Sequence, residues 1–323
     1  MRRSLIAGVG AALPEQVVSN EEIEARFGVE AGWIEGRTGV RERRITRTPG
    51  ELVDLAEAAS RMALDAAGVD AGDLDEVVVA TTSGPYLFPS LACLINDRLG
   101  VAEAPAFDVA AACAGFPYAL TVADRAIRSG DRECVLVVGA DRLSAACEPS
   151  DRGTAALFGD GAGAVVLRSI DSGGDRPRGI LAHRLRALGD LWSILRLPTG
   201  SHAPGGEEAW MRMDGAEVFR AAVEHLVGLT REVLEEAGLR AEDVRVLVPH
   251  QANVRIIRRM TAQLGIDVDR VEVNLGRCGN TSAASIPLAL ADAVAAGRLG
   301  RGDVLVLNAV GGGMTAGAVV ARW

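Results

Sequence analysis

Four short segments recur in the same order along this 323-residue chain, so whatever it folds into is built twice. Residues 67–74 (AGVDAGDL) match 237–244 (AGLRAEDV) at an offset of 170, and each leads into an apolar run. At the same offset 116–120 (FPYAL) match 286–290 (IPLAL). At drifting offsets 135–138 (VLVV) resemble 304–307 (VLVL), and 163–166 (GAVV) return at 317–320. Chance supplies one such match in an Ala- and Val-rich chain; four in order imply two halves of one architecture.

Each half reads as helix, strand, helix, strand, strand. In the first, Leu52, Leu55, Ala59, Met62 and Ala63 stand at helical spacing over 51–67. Val77 to Thr81 is a continuous β-branched run, as expected of a strand covered on both faces. A helix follows over 114–128 and a buried strand over 134–139. The second half predicts helices over 215–237, 253–264 and 282–296, with strands over 244–248 and 303–308. Strands alternating with helices imply parallel sheets under helical cover. Two halves whose sheets are apolar on both faces must stack with helices between them, which predicts an α/β/α/β/α sandwich. The Gly- and Pro-rich stretch 171–210 reads as loop. The seam is placed there, with one half over 1–170 and the other over 171–323. Residues 4–13 read as a buried first strand rather than a signal peptide, because Gly8 and Gly10 break the apolar run.

Composition excludes several roles. With 34 Lys and Arg against 43 Asp and Glu the net charge is −9, so the basic surplus of a nucleic-acid partner is missing. No apolar run approaches the roughly 18 residues of a membrane helix. Five Cys with no C-x-x-C pair argue against a disulfide framework or a zinc site and favour a reducing cytoplasm.

Three residues stand where chemistry could be done. Cys113 lies in 110–116 (AAACAGF), between an apolar strand and a helix. A helix N-terminus favours thiolate over thiol, and the small neighbours leave room for a substrate; a small buried core Cys is the alternative. His250 ends a strand in 249–253 (PHQAN), suited to handling protons near neutral pH, although the more ordinary role for such a His is bonding loop carbonyls. Asn280 lies in 279–285 (GNTSAAS), ahead of the second-half helix that matches the one after Cys113; it could cap that helix, donate to a substrate, or both. His183, His202 and His225 read as solvated. The glycines 311–313 could bring backbone N–H groups to a ligand or merely form a tight turn. The glycines around 159–163 precede a strand, so they do not form a dinucleotide loop.

Taken together, AAACAGF, PHQAN, GNTSAAS, residues 151–167 (DRGTAALFGDGAGAVVL) and 33–41 (WIEGRTGVR) closely resemble the β-ketoacyl-[acyl-carrier-protein] synthase III family of the thiolase superfamily. The resemblance runs from about Ile6 to the C-terminus. It implies the thiolase-like five-layer fold and a decarboxylating Claisen condensation of a short acyl-CoA with malonyl-carrier protein. It further implies an acylated Cys113, with His250 and Asn280 completing a triad. Backbone N–H groups of Cys113 and Gly312 would form the oxyanion hole, and neither metal nor redox cofactor is called for. By the same matching, Trp33 and Arg152 would hold the CoA adenine, Arg37 its phosphates and Asn253 the pantetheine arm. Arg255, Arg258 and Arg259 would receive the acyl carrier protein, and Phe88 would reach across a homodimer to the acyl pocket.

Three departures bear on the substrate. Val310 stands where the family usually has Phe, Ala216 replaces an amide near the pantetheine, and 184–197 lack part of the usual pattern. They keep open a relative from polyketide metabolism that condenses or transfers a starter unit. A silent partner subunit is the remaining reading, and the intact Cys, His and Asn set argues against it.

Overall fold

The computed structural model describes residues 1–200 and 203–323; His202 falls outside them. Its first sheet contains β1 (Arg2–Ala12), β2 (Glu76–Ala80), β3 (Ala106–Val109), β4 (Cys134–Arg142) and β5 (Asp160–Asp171), in the order β1-β5-β4-β2-β3. The second contains β6 (Gly179–Ala187), β7 (Val244–Pro249), β8 (Val304–Gly311) and β9 (Thr315–Arg322), in the order β6-β9-β8-β7. Directions also match. The first two pairings of each sheet are antiparallel and those that follow are parallel. Val271 bridges Leu247 in parallel on the far side of β7, the place β3 takes beside β2.

Six helices cover the sheets: α1 (Pro49–Ala67), α2 (Leu91–Leu99) and α3 (Gly115–Ser129) in the first half, α4 (Gly215–Glu236), α5 (Val254–Leu264) and α6 (Ser285–Ala295) in the second. Period-2 alternation decides which layer each strand residue joins. On β2, Val78 and Ala80 pack against α3 and α6 in the centre, while Val77 and Val79 pack outward under α1 and α2. On β8, Leu305, Leu307 and Ala309 face the same centre, while Val304, Val306 and Val310 face α4 and α5. The layers therefore run α1/α2, first sheet, α3/α6, second sheet, α4/α5. That is the five-layer sandwich expected from the duplication.

The stretch read as loop holds one element of the core. β6 lies within 171–210 and pairs antiparallel with β9 along its length. Its outer half is only partly covered and carries Arg184 and Arg186, so an edge strand between Gly- and Pro-rich turns has little apolar signal to read. Helix α2, too, had no counterpart in the sequence reading, although α5 is its repeat. No helix among the described residues is long and apolar enough to cross a membrane.

Candidate functional site

Two turns 170 residues apart hold a backbone conformation that L-residues avoid: Ala112 at φ 47° and Ser282 at φ 52°. Each opens a single 3₁₀ turn, Ala112–Ala114 or Ser282–Ala284, that runs into a central helix, α3 or α6. Such residues cost on the order of 1–3 kcal/mol and persist only where the surroundings enforce them. Here the enforcement is crossed between halves. Strand β8 lies on the first turn: a Cβ on Gly311 would sit 2.6 Å from the Cys113 backbone nitrogen. Strand β4 lies on the second: a Cβ on Gly139 would sit 2.3 Å from the Ala283 carbonyl oxygen. Glycine is required at both by close approach of backbone.

Cys113 follows Ala112 and is 5% exposed. The Ser282 hydroxyl, from the other half, donates to its Sγ at 3.4 Å. The expectation of a thiolate is corrected here. Burial pushes the thiol up to about 12, and the nearby Asp141 charge adds to the rise. The Ser282 hydroxyl and the backbone N–H of Cys113 oppose this and do not outweigh it. Burial thus favours the neutral thiol at Cys113 over the thiolate that the nearby N-terminus of α3 would favour.

Asn280 is 5% exposed and its backbone is clamped to the first half: its N–H donates to Leu157 O at 2.8 Å and its carbonyl accepts from Gly159 N–H at 3.0 Å. The side-chain Oδ1 accepts from Ser282 N–H at 2.9 Å, which leaves the amide NH₂ without a partner among the described residues. His250 sits just past β7, its N–H bonded to Asn308 O at 2.8 Å. Its Nδ1 is 2.7 Å from Ser285 Oγ. Burial without a charged partner lowers the imidazole to about 3, so the ring is neutral at physiological pH. Cys113, His250 and Asn280 thus gather on one segment, 280–285, which touches all three.

That segment is tied across the halves by a residue the sequence reading did not single out. Asp141, at the end of β4, is fully buried and accepts from Ala283 N–H (3.1 Å), Thr82 N–H (2.9 Å) and Ser83 Oγ (2.6 Å). No local pattern points to it, because its partners lie some 60 and 140 residues away. Ser282 and Ser285 were visible only as part of a capping cluster.

A cavity of about 870 Å³ opens on Cys113, lined among others by Leu143, Phe158, Leu195, Met211 and Gly312. Its wall is chiefly apolar, as an acyl chain would require. His250 and Asn280 are not on that wall, but Phe158, which bridges Asn280, is. Tyr86 and Leu87 stand at its edge, and Phe88 beside them is 83% exposed. Val310 is buried in the layer between the second sheet and α4/α5, away from the cavity lining. Ala216 is exposed, its N–H donating to the cap residue Asp214 at 3.1 Å.

A separate cluster lies at the surface. The guanidinium carbons of Arg37 and Arg152 stand 4.4 and 5.5 Å from the Trp33 ring centroid. Asn253 caps α5 through Arg255 N–H (2.9 Å), and its amide donates to Arg37 O at 3.3 Å, which links α5 to this cluster. Arg255, Arg258 and Arg259 are exposed on α5. His183 is not solvated as expected: its Nε2 lies 3.3 Å from the buried Asp124 carboxylate. The expectation failed because Asp124 lies on α3, far away in sequence. His225 is half-buried on α4.

The same architecture recurs in known proteins. The 3-oxoacyl-[acyl-carrier-protein (ACP)] synthase III family matches residues 107–189, and that family's C-terminal region matches 234–323. The chain is 44% identical over 320 residues to β-ketoacyl-[acyl-carrier-protein] synthase III 1 of Vibrio parahaemolyticus, covering 99% of each. It superposes on 3-oxoacyl-[acyl-carrier-protein] synthase III from Aquifex aeolicus with a TM-score of 0.92 at 42% identity, covering 99% of this chain and 100% of that one. The priming β-ketosynthase of the R1128 polyketide pathway gives 0.91 at 37%, covering 99% and 96%. With identity of this order sustained from end to end, and the Cys, His and Asn motifs converging in space, the chain belongs to the β-ketoacyl-[acyl-carrier-protein] synthase III family.

Proposed function

We propose that the protein is an acyltransferase that joins a short acyl-CoA to malonyl-[acyl-carrier protein] by decarboxylating Claisen condensation, giving the 3-oxoacyl-carrier protein that begins fatty-acid synthesis. One observation carries this reading: the Cys113 sulfur opens on an apolar cavity while bonded to the segment that also holds Asn280 and His250. In the first half-reaction the Cys113 sulfur attacks the thioester carbonyl. The thiol proton ends on the departing CoA sulfur, and the acyl group stays on Cys113. The backbone N–H groups of Cys113 and Gly312 serve the oxyanion of this step. Malonyl-carrier protein then enters. Its C–CO₂ bond breaks, the electron pair becomes an enolate, and the enolate attacks the acyl carbon as the Cys113 sulfur leaves as a thiolate, which takes a proton from solvent to restore the thiol. His250 and the free amide of Asn280 donate to the enolate oxygen, where charge accumulates. A neutral imidazole suits that task, since no strong positive charge is trapped after reaction.

For the substrate's far end, Trp33 with Arg152 takes the adenine, Arg37 the phosphates and Asn253 the pantetheine arm. Arg152 already stands over the indole, so an entering adenine parts that pair. Arg255, Arg258 and Arg259 form the basic face for an acidic carrier protein, a local patch on a chain of net charge −9. The exposed Tyr86, Leu87 and Phe88 beside the cavity favour a homodimer in which a partner covers them. The halves divide near residue 170, and no cofactor beyond the acyl-CoA substrate is needed. Five free cysteines suit a reducing cytoplasm.

Intact-mass and peptide mass spectrometry after mixing with a panel of acyl-CoAs tests the reading. An acyl adduct on Cys113, followed by CO₂ release and 3-oxoacyl product on adding malonyl-carrier protein, is expected. An unmodified Cys113 across the whole panel defeats it. The resemblance to the priming β-ketosynthase favours a second reading, starter-unit chemistry for a polyketide. Condensation confined to starters absent from ordinary fatty acids selects that reading, and acyl transfer without CO₂ release selects a pure transferase.

A further inference from the structure

A histidine can donate from only one ring nitrogen when neutral, and the enolate step needs that proton on the nitrogen facing the substrate. The duplication isolates what decides this. At an offset of 170, His250 and Ser285 correspond to Ala80 and Gly115. Those two also face each other: a Cβ on Gly115 would lie 3.1 Å from the Ala80 Cβ. The same contact thus occurs in both halves, and only the second fills it with polar groups. Ser285 Oγ accepts from Gln251 N–H at 3.4 Å, which turns its own proton toward His250 Nδ1, 2.7 Å away. Gln251 is itself held rigidly. Its side chain donates to Pro249 O (2.7 Å) and Glu272 O (3.1 Å) and accepts from Asn274 N–H (3.1 Å). Ser285 is 1% exposed and opens α6, so its hydroxyl has little freedom to turn elsewhere.

We propose that Ser285 is a positioning residue that makes Nδ1 of His250 an acceptor and so keeps the imidazole proton on Nε2, aimed at the enolate oxygen. The inference deepens the condensation reading and rests on it for its kinetic consequence, while the tautomer itself does not. Nuclear magnetic resonance of protein labelled with ¹⁵N-histidine reads the tautomer directly, with His250 identified by the signal lost in His250→Ala. Expected are an unprotonated Nδ1 and a protonated Nε2 between pH 6 and 9. In Ser285→Ala the two tautomers mix, and kcat for decarboxylative condensation falls about 10–100-fold, the scale of losing the partner that orients a metal-bound imidazole. KM for malonyl-carrier protein stays within about twofold, and Ser285→Thr, which keeps the hydroxyl, regains most of the rate. A His250 protonated on Nδ1 in the unaltered protein overturns the proposal. So does a Ser285→Ala protein with tautomer and condensation unchanged, or one in which acylation of Cys113 falls as far as condensation. If the protein takes up no acyl group at all, the condensation reading fails and the resonance result alone decides the tautomer.

Discussion

The two halves share a scaffold whose chemistry has been divided. Ala112 and Ser282 hold the same left-handed turn. Around it the first half reads Ala80, Ala110, Cys113 and Gly115, where the second reads His250, Asn280, Ala283 and Ser285. Every position that is polar or reactive in one half is alanine or glycine in the other. The turn is therefore a structural requirement of the fold, with its strain held by a strand from the opposite half. Nucleophile and hydrogen-bond donors need only be distributed over two copies of it, and the crossed packing brings them together. An alanine at any of these sites is already compatible with the backbone, so activity can be removed here with little harm to folding.

The largest expected effect tests that division directly. Cys113→Ala copies Ala283 and should keep the melting temperature within a few degrees while lowering condensation at least about 10³-fold and abolishing the acyl adduct. His250→Ala and Asn280→Ala copy Ala80 and Ala110. Each should lower condensation about 10²–10³-fold, the scale of losing one donor to a developing oxyanion, while the adduct on Cys113 still forms. Radiolabelled acyl-CoA uptake and product formation, measured separately, check the contrast. Loss of uptake in all three would show that the halves do not divide the work.

A smaller effect sharpens the comparison through the two glycines. Gly311→Ala pushes on the Cys113 backbone, and Gly139→Ala pushes on Ala283, beside Asn280. Each should cost about 1–3 kcal/mol of stability as an overpacked site. Their kinetic signatures should differ: Gly311→Ala slows acylation more than condensation, Gly139→Ala the reverse. Denaturant unfolding gives the first quantity and the two half-reaction assays the second. Identical signatures would mean that the strands do not aim the turns independently.

What sequence could and could not reveal follows the same division. The duplication, the layer order and the three chemical side chains were readable because each rests on local pattern: a period of two or 3.6, or a short motif repeated at fixed offset. Strand β6 was missed because an edge strand with Arg184 and Arg186 lacks a continuous apolar run. Asp141 was missed because a single acidic residue at a strand end has no pattern at all, and its partners come from distant segments. The protonation of Cys113 was misread because a helix N-terminus can be seen in sequence, whereas the desolvation that overrides it depends on everything packed around the sulfur.

The smallest effect lies at the other end of α3, where the two halves differ again. Asp124 is fully buried; at an offset of 170 its counterpart is Val294, 37% exposed. Ser4 Oγ of β1 donates to Asp124 Oδ1 at 2.7 Å, while Arg128 Nε and His183 Nε2 of β6 lie 2.7 and 3.3 Å from Oδ2. Burial by itself would raise this carboxyl, but His183, Ser4 and Arg128 together hold it below its ordinary value. A carboxyl lowered on folding adds stability above its unfolded pKa, and that stability is lost as the pH falls through the folded one. His183→Gln removes one of three partners and should cost about 1 kcal/mol at pH 7, as for a single hydrogen bond. The cost should shrink toward zero in acid as Asp124 becomes protonated, with the half-reaction rates untouched. Chemical unfolding at several pH values measures it. A cost that stays constant down to pH 2 would show that His183 contributes only packing and that Ser4 and Arg128 alone hold the Asp124 carboxylate.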